Sequence, residues 1–387
     1  MKAIIVGAGV IGASIAFQLA KRGVQTTVID AETPGAAASA ASLAWINSNN
    51  KALRPYHDLS VMSIMEWQLV ARELKSDQWL HPVGNLHVAD TPESAAGLAE
   101  RVARLHSYGY AAIPYPVDDL HLLDRSITRR ESYEYAAFFP FEGYVSTSLL
   151  IHDLIGAAKS LGARFVLGER VRGLVVQGSQ VCGARLESGE QFEADIVIAA
   201  AGAGLGDLLA SHDINVRTSG TPGVSITTSP GASSLSTVLH FPALSIRPEA
   251  EGRVVVRSKN TDRQIDQAAW DLPQGAVDEL FEIAGEHLND FEARHVLAER
   301  IAIASRPYLF DGLPVVGNWN GLDGLYVTTM HSGVTLAAIV SRLVATEVVS
   351  GESHSLLDEF RPARVLEAAQ RGVGYFDPYA LEGEQKG

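Results

Sequence analysis

The chain has 387 residues, of which 47% are hydrophobic, so it is long enough for two or three domains with buried cores and is not expected to be disordered. Its formal net charge of −14 argues against a nucleic-acid groove or an anionic membrane surface as partner, because either would require clustered lysine and arginine. Small molecules are the expected partners.

The chain begins with an apolar strand that runs into three glycines. Gly7, Gly9 and Gly12 stand in the G-x-G-x-x-G spacing between this strand and a helix, and a second strand, TTVID, ends at Asp30. In this pattern the glycines permit a tight turn, close approach of a pyrophosphate and close helix packing, and the acidic residue binds a ribose hydroxyl. The pattern predicts a dinucleotide site. A plain βαβ unit is the alternative, and the motif alone does not separate NAD from FAD.

Small residues dominate the next segment, AETPGAAASAASLAWINSNN. The segment is either an alanine-rich helix or a stretch whose small side chains let the backbone pack against a long cofactor. In the second interpretation, Ser39 and Ser42 donate hydroxyl groups, and residues 45–47 lie beside the reactive end of the cofactor. An amphipathic helix is predicted from about residue 58 to residue 75.

The middle of the chain alternates between two patterns. Short alternating segments between residues 79 and 144 predict an excursion into a second domain. A helix from Thr147 and the strand RFVLG then return to the βαβ pattern found at the start of the chain.

A β-meander follows that strand. Its last strand, within EADIVIAAAG, stops at Gly202 and is predicted to rejoin the first sheet, because it is short, apolar and followed by a glycine turn. Residues 217–259 predict antiparallel strands of the second domain, and a helix at residues 274–288 is expected to pack on them.

The last long segment joins a strand, GLYVTT, to a turn, MHSG, and a helix with an apolar face. Backbone N–H groups at this helix start are predicted to face an electron-rich group. The helix is interrupted by Arg342 and Glu347, so no stretch reaches the about 18 uninterrupted apolar residues of a membrane span. The polar tail after Tyr379 is expected to fray.

Several classes of site have no support in the sequence. Cys182 is the single cysteine, so no intrachain disulfide can form, and a cytoplasmic location is expected. The apolar N-terminal run is not interpreted as a signal peptide, because the glycine pattern gives it a structural purpose. The 12 histidines lack metal-ligand spacing, so no metal is expected, and no G-x-S-x-G motif indicates a hydrolase.

The ordered set of motifs resembles the D-amino-acid oxidase family of flavoproteins, which includes glycine oxidases, sarcosine oxidases and D-amino-acid dehydrogenases. The segments that carry the resemblance are the N-terminal glycine pattern with Asp30, the small-residue stretch before Trp45, EADIVIAAAG, SRPYLFDGLPVVG and GLYVTTMHSGVTLA. The resemblance covers nearly the whole length and identifies the nucleotide as FAD.

The resemblance implies an α/β fold with two domains. A Rossmann-like FAD-binding domain would be built from residues 1–80, 146–215 and 305–375. An α+β substrate domain with a mixed, largely antiparallel sheet would be inserted as residues 81–145 and 216–304, leaving residues 376–387 as a tail. The helix starts near residues 9 and 333 would converge on opposite ends of one extended FAD.

The resemblance also implies which residues hold FAD. Asp30 would bind the adenosine ribose, Val171 would present its backbone to the adenine side, Gly202 would close against the pyrophosphate, and the turn at His331 would meet the flavin ring. Because Cys182 lies away from the C-terminal segment, FAD is expected to be noncovalent. The full predicted set is Gly7, Gly9, Val10, Ile11, Gly12, Asp30, Ala31, Ala38, Ser39, Leu43, Ala44, Trp45, Val171, Gly202, His331, Ser332, Gly333, Val334 and Thr335.

Arg306 and His331 are the catalytic candidates. The resemblance assigns Arg306 to the substrate carboxylate, which a guanidinium can hold with two parallel hydrogen bonds; a solvated surface arginine is the alternative. His331 and the following helix start would stabilise negative charge on the reduced flavin, and a core histidine is the alternative. Trp45, Tyr56 and His57 are further substrate-binding candidates.

Three positions depart from the family pattern. Met330 stands where glycine is common, which leaves less room above the flavin ring. Leu244 and Ser245 stand where relatives often carry a tyrosine that contacts substrate, so the side-chain pocket cannot be transferred. His240 is a possible replacement for that tyrosine, as are Tyr56 and His57.

The resemblance implies oxidation of the C–N bond of a small amino acid or N-alkyl amino acid by hydride transfer from Cα to flavin N5. The imine product would hydrolyse to an oxo acid. Either O2 or another acceptor would take the electrons, so an oxidase and a dehydrogenase both remain open. An NAD-dependent dehydrogenase and a non-catalytic flavin-binding protein are further alternatives, and the sequence does not indicate the oligomeric state.

Overall fold

The computed structural model describes residues 1–210, 212, 214, 216 and 218–371. The predicted tail, 376–387, lies outside the described residues, as does the end of the third FAD-binding segment, 372–375. The helices are α1 (Val10–Lys21), α2 (Arg54–Leu74), α3 (Pro92–Ser107), α4 (Leu120–Leu123), α5 (Thr147–Ser160), α6 (Leu205–Ala210), α7 (Lys259–Gln264), α8 (Ala276–His287), α9 (Gly333–Ser350) and α10 (Ala363–Arg371).

The strands form two large and two small sheets. They are β1 (Lys2–Val6), β2 (Gln25–Asp30), β3 (Trp45–Ile46), β4 (Leu80–His81), β5 (Asn85–Ala89), β6 (Ile113–Tyr115), β7 (Tyr135–Phe139), β8 (Gly143–Val145), β9 (Arg164–Leu167), β10 (Val171–Gln177), β11 (Gln180–Leu186), β12 (Gln191–Glu193), β13 (Ile196–Ala199), β14 (Ser219–Thr228), β15 (Val238–His240), β16 (Ser245–Glu249), β17 (Arg253–Arg257), β18 (Ala298–Tyr308), β19 (Val315–Asn318) and β20 (Leu325–Thr329).

The first large sheet has six strands in the order β19-β20-β13-β1-β2-β9. All neighbours are parallel except β19 and β20, and β13 pairs with both β1 and β20. The strand predicted within EADIVIAAAG therefore does rejoin the opening strand. Its apolar character has a physical reason, because a parallel strand in the middle of such a sheet is covered on both faces.

Different layers cover the two faces of this sheet. Helices α1, α5 and α9 pack together on one face, and the three-stranded sheet β10-β11-β12 packs on the other. Within the described part of the chain, α9 is the one helix long and apolar enough to cross a membrane, and 72% of that 18-residue window is buried inside the protein. Its apolar composition is therefore that of a core helix.

The second large sheet has eight strands in the order β18-β14-β17-β16-β15-β5-β7-β6. The pair β5 and β15 is parallel and the other pairs are antiparallel, so the sheet is mixed and largely antiparallel. Side chains alternate between its faces. At one end, Ala137 and Phe139 face α3, whereas Leu86 and Ala136 belong to the core beneath α8.

The α/β fold is as the sequence predicted, with two local differences. The small-residue segment forms turns and no alanine-rich helix, which leaves the second interpretation of that segment. Helix α2 starts at Arg54, four residues before the predicted start. The predicted boundaries after residue 80 and before residue 305 fall inside β4 and β18. The division into two domains stays a prediction.

Candidate active site

A long cleft of about 2630 Å³ is lined by residues of both large sheets. It is lined by all the predicted cofactor residues except Gly12, and by Arg306, His331, Trp45 and Tyr56 among the predicted substrate and catalytic residues. His57 is not part of its lining. The candidate residues thus come together from segments that are hundreds of residues apart in the chain.

The start of α1 is built so that backbone can approach a ligand. Gly7 has φ +107°, and a Cβ atom there would lie 2.5 Å from the carbonyl oxygen of Ala200. A Cβ atom at Gly12 would lie 1.9 Å from the carbonyl oxygen of Gly7, so Gly12 serves helix packing behind the cleft wall. Both glycines are therefore required by sterics, and the bare backbone between them fits a pyrophosphate.

Asp30 and Ser39 hold the backbone around this turn. The Asp30 carboxylate accepts hydrogen bonds from the Ala8 amide at 2.6 Å and from the Glu32 amide at 2.9 Å. The Ser39 hydroxyl accepts one from the Val10 amide at 3.1 Å. Each carboxylate oxygen can accept a further bond, so Asp30 remains able to bind a ribose hydroxyl.

The start of α9 lies beside the start of α1. A Cβ atom at Gly333 would lie 3.6 Å from the Ile11 side chain, so the two helix starts are neighbours. They are closer together than the opposite ends of an extended FAD, where the sequence had predicted them. The hydroxyl of Ser332, which precedes α9, accepts hydrogen bonds at 2.8 Å from both Lys51 Nζ and the Tyr56 hydroxyl. Lys51 is a buried cation of the cleft that no sequence motif had marked.

Lys51 predicts a specific pH dependence of stability. Burial lowers the pKa of Lys51 to about 8, and Glu142 opposes this shift by its charge. Between pH 8 and 10 the unfolded chain, with an ordinary lysine, binds more protons than the folded protein, so stability rises with pH in that window. We expect Lys51→Met to stabilise the flavin-free protein by about 2 kcal/mol at pH 7, less at pH 9.5, measured by urea unfolding.

The exposed Lys159 provides the control. The stability difference between Lys159→Met and wild type should not shrink between pH 7 and pH 9.5. The pH range should stop below 10, because burial raises the pKa of Tyr56. Above that pH the unfolded chain loses the tyrosine proton first, so this group makes the stability fall with pH. A stability difference for Lys51→Met that stays constant from pH 7 to 9.5 would contradict the interpretation.

Arg306 lies on β18 and points into the cleft. Its Nη2 atom donates to the carbonyl oxygen of Pro222 at 2.7 Å and lies 3.0 Å from the Asp262 carboxylate. A Cβ atom at Gly223 would come within 2.6 Å of Arg306 Nε, so this glycine makes room for the guanidinium. The side chain is 13% exposed, which excludes the solvated-surface alternative.

A second arginine shares the carboxylate that positions Arg306. Arg257 Nη2 lies 2.6 Å from Asp262, a fully buried carboxylate that also accepts the Val224 amide. Two guanidinium groups that line the cleft therefore share one buried carboxylate at this end.

His331 lies between this charged group and the start of α9. Its Nε2 atom is 2.6 Å from the Tyr308 hydroxyl, and the two rings stack at 4.0 Å. Enclosure by the cleft walls, followed by the charges of Arg306 and Lys51, lowers the pKa of His331 well below its ordinary value. The imidazole is thus neutral near pH 7 and open to the cleft.

An aromatic wall, defined here as Trp45, His87 and His240, faces the same part of the cleft. The His240 ring lies 4.1 Å from Trp45 and 4.4 Å from His87. Burial lowers the pKa of His240 to about 3 and that of His87 well below its usual range. His240 Nδ1 lies 2.7 Å from Ser245 Oγ, so the wall is uncharged and locally fixed.

Glu142 supports this wall from behind. It is fully buried, and its carboxylate accepts six hydrogen bonds: three to Oε1, from the Ser48 and Asn49 amides and the Tyr110 hydroxyl, and three to Oε2, from Trp45 Nε1 and the side-chain amides of Asn49 and Asn85. Burial raises its pKa, and these donors oppose the shift. In the sequence, the only sign of this buried carboxylate was an acidic residue within an apolar run.

His57 does not reach the cleft, so its predicted substrate contact is wrong. Its ring is buried against Tyr110, and Nδ1 lies 2.7 Å from Ser48 Oγ. Successive helix residues point about 100° apart, so Tyr56 turns towards α9 and His57 turns away from it.

The described residues contain no cluster of three or more histidine, cysteine, aspartate or glutamate side chains placed to hold a metal ion. Cys182 lies on β11 and does not line the cleft.

Known proteins share this architecture and sequence pattern. Glycine oxidase of Geobacillus kaustophilus is 27% identical over 364 residues, which cover 90% of this chain and 93% of that protein. One of the subunits of opine oxidase from Agrobacterium tumefaciens is 25% identical and covers 93% and 96% of the two chains. The crystal structure of glycine oxidase from G. kaustophilus is similar with a TM-score of 0.81 at 23% identity, covering 93% of this chain and 97% of that one.

Residues 2–347 match the family described as DAO, FAD dependent oxidoreductase. This match spans most of the chain and confirms the resemblance drawn from the ordered motifs, including FAD as the cofactor. The glycine-lined start of α1, Asp30 and the long cleft fit that cofactor. The chain belongs to the DAO family of FAD-dependent oxidoreductases and is an oxidoreductase that acts on amino acids or amines.

Proposed function

We propose that the protein oxidises the C–N bond of a small amino acid or N-alkyl amino acid to an imine. The observation that carries this proposal is the position of Arg306 in the cleft, beside His331 and close to the start of α9. The relatives named glycine oxidase support the same substrate class.

Different residues of the cleft would position different parts of the substrate. Arg306, held by Asp262 and Pro222, would bind the substrate carboxylate with charge-assisted hydrogen bonds. The aromatic wall would confine the rest of the substrate and exclude water. Bound FAD supplies a hydride acceptor at N5. Orientation of the substrate Cα–H towards that position is the main contribution of the protein.

Balance of the reaction requires one proton to leave the amine. The hydride and its electron pair leave Cα, a proton leaves nitrogen, and a C=N bond forms, which water then hydrolyses to an oxo acid and ammonia or a smaller amine. His331 is neutral and close to Arg306, so it can accept a hydrogen bond there, but we assign no base.

The start of α9 would stabilise negative charge that develops on the cofactor. Lys51 and the first amides of the helix, from Gly333 onwards, place positive charge around Ser332. We propose that His331, Ser332, Gly333, Val334 and Thr335 contact the flavin end, that Asp30, Ala31 and Val171 contact the AMP end, and that Gly7 to Ile11 and Gly202 contact the pyrophosphate between them. With Cys182 outside the cleft, we propose noncovalent binding.

The electron acceptor is O2 or another oxidant. The opine oxidase relative and a hydrogen cyanide synthase relative are each named as one subunit of a larger enzyme, so transfer to a partner is the alternative. Peroxide formation compared with reduction of an artificial dye separates the two.

Anaerobic bleaching of the flavin absorbance tests the proposal directly. The panel should contain glycine, sarcosine, proline and both enantiomers of several amino acids, with acetate and methylamine as controls that lack the amine or the carboxylate. We expect at least one carboxylated amine to bleach the flavin and neither control to do so. A protein that binds FAD and is bleached by no amine would be a non-catalytic flavin-binding protein, which overturns the proposal.

A further inference from the structure

One alanine in the wall of the cleft has a backbone conformation that its neighbours must hold in place. Ala44 has φ +57°, in the left-handed region, and is 1% exposed. A Cβ atom makes this conformation costly, so it persists only where surrounding contacts fix it. Leu43, Ala44 and Trp45 all line the cleft. The contacts that hold Ala44 therefore determine the shape of this part of the wall.

Neutral hydrogen bonds fix the backbone at Ala44 and after it. The Ala44 amide donates to Ser42 Oγ at 2.9 Å, and its carbonyl oxygen accepts from the Val145 amide at 3.0 Å. The carbonyl oxygen of Trp45 accepts from Thr335 Oγ1, in the first turn of α9, at 3.3 Å. The segment is thus joined to β8 and to α9 on its C-terminal side.

A buried arginine of the eight-stranded sheet holds the carbonyl group on the other side of Ala44. Arg247 lies on β16 and is 3% exposed, and its Nε atom donates to the Leu43 carbonyl oxygen at 2.6 Å. Its Nη1 atom donates to the Pro248 carbonyl oxygen at 2.8 Å and to the Glu249 carboxylate at 3.0 Å. These contacts fix the planar guanidinium, so that Nε points at Leu43. Because its donor is charged, the bond to Leu43 is about twice as strong as a neutral one.

The same strand also holds a second member of the aromatic wall. Ser245 lies two residues before Arg247 on β16, so the two side chains point to the same face of the sheet. Ser245 Oγ lies 2.7 Å from His240 Nδ1, and the His240 ring lies 4.1 Å from the Trp45 ring. Strand β16 therefore holds one side of the wall through Ser245 and the chain that leads into Trp45 through Arg247.

Resting on the proposed function, we infer that Arg247 is a positioning residue, whose hydrogen bond to Leu43 keeps Ala44 left-handed and thereby orients the Trp45 ring for the substrate. Arg247 is not part of the cleft lining, so it acts through the segment that it holds. The proposed wall confines the substrate and takes no part in hydride transfer. Loss of the contact should therefore raise KM more than it lowers kcat.

Fluorine NMR of the FAD-loaded protein, labelled with 5-fluorotryptophan, reports on Trp45 without any turnover. The chain has five tryptophans, so five resonances are expected, and Trp45→Phe identifies the one that belongs to Trp45. We expect Arg247→Met to shift or broaden this resonance and to leave the other four in place. An unchanged Trp45 resonance in Arg247→Met would overturn the inference.

Further variants separate the Leu43 contact from the ion pair with Glu249. Arg247→Lys keeps a cation beside Glu249 and has no donor at the Nε position, so it should also move the Trp45 resonance. This variant keeps the test decisive if Arg247→Met does not fold. Glu249→Gln removes the charge pair but keeps the donor to Leu43, and Arg253→Met removes an ion-paired arginine of the same sheet outside the cleft. Both should leave the resonance in place, and an equal shift in Glu249→Gln and Arg247→Lys would contradict the assignment to the Leu43 contact.

Glycine at position 44 provides a rescue that a merely structural role would not show. Glycine adopts the left-handed conformation without a steric cost, so it should depend less on Arg247. We expect Ala44→Gly to restore part of the Trp45 resonance shift when it is added to Arg247→Met. A general loss of stability would not be corrected in this way. A double variant with no recovery would therefore overturn the inference.

Steady-state kinetics with the best substrate of the bleaching panel provides the second arm. Arg247→Met should raise KM about 10-fold and lower kcat by no more than about twofold, because a small misplacement of a positioning group costs one to two powers of ten. A fall in kcat at unchanged KM, or loss of FAD from the purified protein, would oppose the inference. If no amine bleaches the flavin, the proposed function fails, whereas the fluorine spectra still decide whether Arg247 orients Trp45.

Discussion

Replacement of Arg306 by leucine is expected to lower kcat/KM for carboxylated amines by about 1000-fold, mainly through KM, while FAD stays bound. Two charge-assisted hydrogen bonds to a carboxylate contribute about 3–6 kcal/mol in total, and leucine supplies neither. Asp262 keeps Arg257 as its partner, so the buried carboxylate is not left alone in the variant. Steady-state kinetics and the flavin absorbance of the purified protein provide the two measurements.

Matched variants sharpen this experiment. Arg300 lies on the same strand but is exposed, so Arg300→Leu should leave kcat/KM within about twofold. Arg306→Lys keeps the charge and loses the paired donors, so its kcat/KM should fall between those of leucine and wild type. Unchanged kinetics in Arg306→Leu would remove this residue from the site.

Replacement of Glu142 by glutamine is expected to lower the free energy of unfolding by about 2–4 kcal/mol. Each carboxylate oxygen of Glu142 accepts three hydrogen bonds here, whereas the amide nitrogen of glutamine is a donor and would face three other donors. Leaving buried donors unsatisfied costs about 1–3 kcal/mol each, and rearrangement of the loop would recover part of this cost. Urea unfolding at constant FAD concentration measures the change.

The same variant should also weaken substrate binding. Glu142 holds Trp45 Nε1 and the amides of residues 48 and 49, so its loss should let the aromatic wall move and raise KM more than it lowers kcat. Glu134→Gln, at an exposed position, should leave both stability and KM unchanged. Wild-type stability in Glu142→Gln would show that the six contacts do not carry the stability ascribed to them.

Local sequence pattern was sufficient to predict the parts of the fold that depend on residues close together in the chain. The glycine spacing before α1, the apolar runs of β1 and β13 and the turn before α9 each follow from steric and periodic rules within about 20 residues, so they could be predicted. Their order along the chain was enough to identify the family and its cofactor.

The contacts that shape the cleft could not be predicted in this way. Glu142 meets Trp45, Lys51 meets Ser332 and Arg306 meets Asp262 across 97, 281 and 44 residues of chain, so each contact forms only in the folded protein. The rotation of α2 decided that Tyr56 faces the cleft and His57 does not, which no spacing rule could show without the helix packed in place.

By itself, the sequence determined which chain segments form the nucleotide turn and the helix starts, because glycine sterics and apolar periodicity act over short distances. Only the tertiary structure decided which charges face the cleft and which carboxylates neutralise them. The physical reason is that electrostatic interactions and burial depend on distance in space, and residues such as Lys51 and Arg306 line one cleft only after the chain has folded.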